Sequence, residues 1–360
     1  MHTRLAPHCA DDVHAVFEVS LHVPCTDTNE MASPERSKLK VSPSNDAPPG
    51  RLGSTKSVSQ TVEHGTEAPP PHWSTQRRPR VQMVPGTDIN PLTKLYGVLG
   101  TDVVWSLSPV LHNRAFEARG LDAVYVPLQA ESLDGFLAAM PALALSGFSV
   151  TRPFKVDIVP HLQEVEEQAA LAGSVNTVVV HDGSLSGSTT DGIGVLAPLK
   201  RRLDVKGRSV VIIGAGGAAR AAAVALQRKG ARITLAARRP QQAAAVATAL
   251  GCAHTGIADL ARLSWDVLIN ATPVGSVALP DQSPLPAKLH RPNTVVLDMV
   301  YEPLDTRLLR DAQQAGCTIV DGLEMLLAQA VAQFETWTGL EAPVDVMKSA
   351  ALFLAQEQEA

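Results

Sequence analysis

Short apolar runs alternate with amphipathic stretches from Leu92 onward, whereas no periodic pattern holds before it. Residues 94–99 read as a short buried strand ending in Gly100. Residues 109–119 read as a helix with Pro109 in its first turn and Gly120 just past its end. The pattern then gives a strand over 123–128, a helix over 133–140 and a strand over 147–150. Another helix is expected after Pro153, and a further one over 166–172 closed by Gly173. Residues 177–181 with the Asp182–Gly183 turn after them predict a hairpin. The β-α-β-α-β order implies a mostly parallel sheet.

The second half repeats this logic with stronger signals. Strands are expected over 209–213, 232–236, 266–270, 294–298 and 318–320. Between them lie helices over 218–229, stopped by Gly230, over 241–250, stopped by Gly251, and over 304–315. That is an open, doubly wound α/β arrangement. Residues 323–356 read as helical with breaks near Gly339 and Pro343, placed to pack back on the first half.

Composition adds a boundary. Over 26–91 prolines recur (Pro34, Pro43, Pro48, Pro49, Pro69 to Pro71, Pro79, Pro85, Pro91) among Ser, Thr, Glu and Arg, with Trp73 the sole aromatic. Such a stretch cannot bury enough apolar surface to offset its chain entropy, so a disordered leader over 1–91 is expected, with a short element possible only before Cys25. The other residues divide into 92–192 with 323–360 as one domain and 193–322 as a second. The net charge of −5, without a long basic run, gives no reason to expect nucleic acid. Four cysteines (Cys9, Cys25, Cys252, Cys317) lie far apart without metal-ligand spacing and read as free thiols of a reducing compartment. No secretory signal and no apolar run of the ~18 residues that span a membrane is seen. A soluble, cytoplasmic protein without a metal is expected.

The clearest chemical signal is the loop Gly214-Ala215-Gly216-Gly217-Ala218-Ala219, set between an expected strand and an expected helix. Glycines there permit a tight turn and let a pyrophosphate approach backbone N–H groups at the helix N-terminus. The same loop could be an ordinary strand-to-helix turn, but strand, loop and helix follow in the order a Rossmann-like dinucleotide site requires. An NAD site usually carries Asp or Glu ~20 residues beyond the glycines. This chain has Ala237-Arg238-Arg239 instead. A guanidinium fork grips a 2′-phosphate and has no use for a bare hydroxyl, so NADP(H) is the expected cofactor.

The first half holds polar clusters of less obvious purpose. Ser106-Leu107-Ser108-Pro109 precedes a helix, where its hydroxyls could meet a carboxylate, although by itself Ser108 reads as an N-cap. Thr151-Arg152-Pro153-Phe154-Lys155, Ser174-Val175-Asn176-Thr177 and Thr189-Thr190-Asp191-Gly192 follow. By spacing alone Lys155 would be a solvated first-turn residue and Asp191 a cap or turn former. Together these segments resemble the shikimate dehydrogenase family, whose S-x-S-P, V-T-x-P-F-K, V-N-T and T-D-G motifs they match in order. In the second half the glycine loop, Asn270-Ala271-Thr272-Pro273, Asp298-Met299-Val300-Tyr301 and Asp321-Gly322-Leu323-Glu324-Met325-Leu326 up to Gln329 extend the match, which runs from about Leu92 to the C-terminus.

The resemblance implies an α/β substrate domain followed by a Rossmann-like NADP domain. It also implies the reversible reduction of 3-dehydroshikimate to shikimate, a step towards chorismate and the aromatic amino acids. It makes Lys155 and Asp191 the catalytic dyad: an ammonium gives the proton that a reduced ketone oxygen needs, and the carboxylate holds it in place. Ser106 and Ser108 would hold the substrate carboxylate, and Thr151, Asn176, Asp191, Tyr301 and Gln329 its hydroxyls. The cofactor would meet Gly214, Ala215, Gly216, Gly217 and Ala218, the clamp Ala237, Arg238, Arg239 and Gln242, and Asn270, Ala271 and Thr272. Glu167, Met299 and Gly322 would lie near the nicotinamide. Without the resemblance, Met299 and Tyr301 would read as core packing after a strand. Several positions depart from the family pattern. Ser149 and Thr189 stand where Asn is common, Trp105 where His is common, and Ala237, Arg239 and Gln242 replace usual clamp residues. Two alternatives stay open: a quinate or quinate/shikimate dehydrogenase using NAD(P), and a non-catalytic NADP-binding sensor. The expected partner is a small-molecule substrate, with neither nucleic acid nor membrane, and a homodimer is allowed.

Overall fold

β-branched and aliphatic runs build two six-stranded sheets in the computed structural model, which describes residues 89–359, with side chains to residue 354. The expectations about the leader lie outside the described residues, except at positions 89–91.

The first sheet holds β1 (Lys94–Gly100), β2 (Ala123–Gln129), β3 (Leu145–Val150), β4 (Glu164–Val165), β5 (Thr177–His181) and β6 (Ser184–Ser188), in the order β2-β1-β3-β5-β6-β4. β1 pairs in parallel with β2 and β3, but β3 to β5 and β5 to β6 are antiparallel. The sheet is therefore mixed, because the expected hairpin docks antiparallel beside β3. The same stretch of chain supplies helices α1 (Ser108–Ala118), α2 (Leu133–Leu143) and α3 (Glu167–Ala172), the last closed by Gly173 in the left-handed region.

No helix follows Pro153. Residues 152–158 form turns that lead into a short 3-10 segment, Val159–His161. The Lys155 carbonyl accepts the Val175 N–H at 2.8 Å, so it is committed across the loop and not along a helix. A helix the pattern did not predict, α4 (Asp191–Lys200), starts at the T-T-D-G segment.

The second sheet is all parallel, in the order β12-β11-β10-β7-β8-β9. Its strands are β7 (Ser209–Ile213), β8 (Arg232–Ala237), β9 (Ala253–Gly256), β10 (Val267–Asn270), β11 (Val295–Asp298) and β12 (Thr318–Val320). The chain starts at β7, winds out to β9, then crosses to β10 and winds out the other way. The strand order therefore reverses between β7 and β10, where open α/β sheets place their ligands. Helices α5 (Gly217–Arg228), α6 (Pro240–Leu250) and α7 (Arg307–Gln314) connect these strands. Helix α7 starts three residues later than the pattern suggested, because the Thr306 side chain caps it by accepting from the Leu309 N–H.

The C-terminal helices α8 (Gly322–Thr338) and α9 (Val344–Glu359) return to the first half, as expected. Leu323, Ala330, Phe334, Met347 and Ala351 share one apolar core with Tyr96, Leu111, Phe116 and Tyr125. Glu324 on α8 is ion-paired with Arg201 and Arg202 beyond the end of α4, which ties the two helices that run between the halves. Among the described residues no helix is long and apolar enough to cross a membrane, and Cys252 and Cys317 are free thiols.

Candidate active site

Lys155 and Asp191 lie 36 positions apart in sequence, and the fold joins them. Lys155 Nζ donates to Asp191 Oδ1 at 2.8 Å and to Oδ2 at 2.7 Å. The lysine is anchored by its own carbonyl bond to Val175 and by the Thr151 N–H, which bonds Leu99 O at 2.8 Å. Asp191 opens α4 with a fully buried side chain, so the helix N-terminus supports its charge. Asn176 completes the floor: Nδ2 donates to Asp191 Oδ1 at 3.0 Å, and Oδ1 accepts the Thr190 N–H at 2.8 Å.

These groups face a cleft of about 440 Å³. Ser106, Ser108, Thr151, Tyr301 and Gln329 share it with them, as do Gly216, Gly217, Ala218, Ala271, Thr272, Met299 and Gly322. Ser108 is not an N-cap: Leu107 holds the cap position, and the Ser108 N–H bonds Ser106 Oγ at 3.3 Å. Burial pushes the Tyr301 phenol above its ordinary range, and the neighbouring Ser106 hydroxyl opposes this. On α4, Gly194 lets Gln329 come close, since a Cβ there would meet Gln329 Cγ at 2.7 Å.

The glycine loop fits a phosphate. A Cβ on Gly216 would meet nothing within 4 Å, so the space above the α5 N-terminus is open. No side chain caps that helix, and its first N–H groups remain free to meet an anion. Gly214 sits at φ 128°, and a Cβ there would press on the Ala271 carbonyl. A Cβ on Gly217 would lie 2.5 Å from Ser174 Oγ and 2.9 Å from Lys155 Cβ, which fixes the loop against the floor of the cleft.

Other expected cofactor residues stand apart from the cleft. Ala237 is buried at the end of β8, while Arg238, Arg239 and Gln242 just beyond it are exposed. Asn270 is not among the residues that line the cleft. Its amide is fully buried, donating to Asp298 Oδ1 and Val274 O and accepting from the Thr272 N–H and hydroxyl. It braces the Ala271–Thr272 loop and has no side-chain atom left for a cofactor. Asp298, its partner, also receives the Val300 N–H and the Thr306 hydroxyl, and burial raises its pKa to about 6. Glu167 does not reach the cleft. It is exposed and ion-paired with Arg228 at 3.0 Å, at the end of α5 opposite the glycine loop.

Sequence reasoning missed Gln333, a buried glutamine lining the cleft one helical turn beyond Gln329. A second polar residue four positions on, in an otherwise apolar face, was the available signal. It also missed His112, fully buried and stacked on Tyr125 with ring centroids 4.5 Å apart. Burial pulls the His112 pKa down to about 3, with Gln333 opposing.

Comparison with known proteins covers nearly all of the described chain. Residues 98–178 match the shikimate dehydrogenase substrate binding domain, 197–299 the shikimate / quinate 5-dehydrogenase domain, and 322–352 the shikimate 5′-dehydrogenase C-terminal domain. A shikimate dehydrogenase (NADP(+)) of Pyrococcus abyssi is 42% identical over 261 residues, covering 72% of this chain and 97% of the relative. A shikimate dehydrogenase crystallised with NADP+ superposes with a TM-score of 0.71 at 37% identity, covering 76% of this chain and 99% of that one. The Thermus thermophilus enzyme, solved with NADP(H) and shikimate, gives 0.67 at 36% identity, with coverage of 72% and 99%.

Proposed function

This chain belongs to the shikimate dehydrogenase family, and from that premise we propose that it catalyses the NADP-dependent, reversible reduction of 3-dehydroshikimate to shikimate. The observation that carries the chemistry is the Lys155 ammonium held by both oxygens of Asp191 at the floor of the cleft. In our reading, residues 92–192 with 323–360 bind the substrate and 193–322 bind the cofactor.

Bound NADPH supplies a hydride to the carbonyl carbon. Reduction also needs a proton on the carbonyl oxygen, and Lys155 Nζ gives it while stabilising the negative charge that develops there. Asp191 keeps the ammonium aimed and accepts a bond from a neighbouring substrate hydroxyl. In the reverse direction the neutral amine takes the proton back. Ser106 and Ser108 hold the substrate carboxylate with hydroxyl donors; Thr151, Asn176, Tyr301 and Gln329 bind the ring hydroxyls. Gly216, Gly217 and Ala218 would offer backbone N–H groups to the pyrophosphate, Met299 and Gly322 would lie beside the nicotinamide, and Arg238 would meet the 2′-phosphate.

The enzyme works in this reading as a cytoplasmic protein on a small-molecule substrate. Quinate carries an extra hydroxyl on the carbon bearing the carboxylate, and the matched family description includes quinate enzymes. Purified protein should oxidise NADPH with 3-dehydroshikimate and reduce NADP+ with shikimate, and should do both faster than it turns over quinate with NAD+. Failure to turn over any of these would leave a non-catalytic sensor. Preference for quinate and NAD+ would move the chain to the quinate branch.

A further inference from the structure

The hydrogen bonds behind the cleft have directions that can be assigned one at a time. Asp191 is ion-paired with Lys155, and a carboxylate only accepts. Asn176 therefore turns Nδ2 to Asp191 Oδ1, and its Oδ1 accepts. Thr177 gives its hydroxyl proton to that Oδ1 at 2.8 Å, so its own oxygen accepts from Gln333 Nε2 at 3.1 Å. Gln333 Nε2 also donates to the Asn176 carbonyl at 3.2 Å, which sets the amide the same way round by a second constraint. Gln333 Oε1 then faces Ser149 and can only accept, so the one Ser149 proton goes there, at 3.1 Å. Tyr125 Oη lies 2.6 Å from Ser149 Oγ and must be the donor. Burial holds that phenol in its protonated, donating form.

The donations thus run one way, from Tyr125 through Ser149, Gln333, Thr177 and Asn176 to Asp191. Such a chain polarises along its length. Its amide links at Gln333 and Asn176 orient their neighbours and do not pass protons on. Ser149, which lines the cleft, is left with its hydroxyl proton committed, one lone pair filled and one lone pair free. An asparagine, common at this position in the family, could turn either a donor or an acceptor to the substrate. Here that choice is removed.

We propose that Ser149 is a specificity-determining residue that meets the substrate as a hydrogen-bond acceptor only, with Tyr125 and Gln333 as the positioning residues that make it so. It selects a ring hydroxyl that can donate and rejects a carbonyl, ether or fluorine at the same ring position. The inference rests on the polyol substrate proposed above.

The test compares shikimate with its deoxy and deoxyfluoro analogues at each hydroxyl that is not oxidised, using the full-length wild-type chain and NADP+. Fluorine occupies the place of oxygen but cannot donate. At one ring position both analogues should show a KM raised by ~3–10-fold, the loss of one neutral hydrogen bond, with little change in kcat. Ser149→Ala should raise the KM of shikimate to match and erase the difference among the three compounds. Gln333→Met releases the Ser149 proton, so the deoxyfluoro analogue should then bind better than the deoxy one. If wild type binds a deoxyfluoro analogue as well as shikimate at every position, or if Ser149→Ala weakens all compounds equally, the inference is overturned. The wild-type comparison needs no variant to fold. A chain inactive on shikimate itself refutes the proposed function and this inference with it. An active chain that fails the analogue comparison refutes this inference alone.

Discussion

The two sides of the cleft prepare for a ligand in different ways. On the side of the first sheet, Lys155, Asp191, Asn176 and Thr190 are hydrogen-bonded to one another, and Ser149 and Gln333 back them, before any substrate arrives. On the side of the second sheet, the space beside Gly216 is open, and Arg238 and Arg239 are exposed without an ion pair among the described residues. The first arrangement fixes direction, as a reacting centre needs. The second offers backbone donors and flexible charge, which suffices to anchor a nucleotide far from the transferred hydride. Substitution of Lys155 on the first side should therefore act on rate, that of Ser149 on substrate affinity, and substitutions on the second side on cofactor affinity.

The largest effect should come from Lys155→Ala. In its proposed role Lys155 gives help that is absent when the ground-state ketone merely binds, so kcat and kcat/KM should fall together while KM stays nearly constant. General acid catalysis is worth ~10²–10⁴-fold, and the single-turnover hydride-transfer rate with saturating NADPH should drop by at least that range. Lys155→Met tests the charge with similar bulk. Asp191→Ala should be slow and should also bind substrate less well, and the double variant should be barely worse than the worse single one, because the pair acts as a unit. Retention of the rate within about threefold by Lys155→Ala, far below the general-acid range, would remove the dyad.

Acid should separate the halves next. His112, beneath the first sheet, has a folded pKa of about 3 against an ordinary value of 6.5. It contributes stability above pH 6.5 that is lost as pH falls towards 3. Asp298, at the end of β11, has a folded pKa of about 6 against 3.8. Its contribution is full below 3.8 and is lost as pH rises through 6, so acidification favours it. Between neutral pH and about 4.5 each group is worth ~2–3 kcal/mol, with opposite signs. His290, whose pKa is also lowered by burial, adds to the His112 direction in the second half. Urea unfolding at both pH values should show His112→Phe losing less stability in acid than wild type, and Asp298→Asn losing more. Parallel pH curves for either variant and wild type would contradict the corresponding assignment.

Much of this was legible in the sequence where a local rule suffices. The glycine loop needed only its place between β7 and α5, and the ends of α3, α6 and α8 were marked by Gly173, Gly251 and Gly339 in the left-handed region. What escaped depends on distant partners. Gln333 reads as one polar residue on a helix until the Asn176 carbonyl, 157 positions earlier, is seen beside it. Asn270 sits in a cofactor-site motif, yet its amide serves Asp298 and its own loop. Helix α4 was hidden because Asp191-Gly192 looks like a turn; the close packing of Gly192 on Ala225 of α5 is what the glycine serves. Glu167 was carried by resemblance alone, and its pairing with Arg228 turns it away from the cleft.

The smallest of these effects should belong to Arg238→Ala, and it bears most directly on the second side. Backbone N–H groups at the α5 N-terminus would hold a pyrophosphate in either dinucleotide, so removing Arg238 leaves that anchor intact. In the proposed role of Arg238, what is lost is the contact to the 2′-phosphate, the only group that distinguishes NADP from NAD. The KM for NADP should rise by the equivalent of ~1.5–3 kcal/mol, the range for a hydrogen bond to a charged group, with the KM for NAD nearly unchanged. Because the side chain is exposed, solvent screens it, and the lower end of that range is expected. Raising the ionic strength should shrink the difference between wild type and variant, since a contact between exposed charges is screened by salt. Arg239→Ala and Gln242→Ala should cost less, if Arg238 alone reaches the phosphate. Equal weakening of both cofactors by Arg238→Ala would mean that this residue supports the β8–α6 turn instead. The selectivity would then have to come from Arg239, with its Ala variant showing the NADP-specific loss.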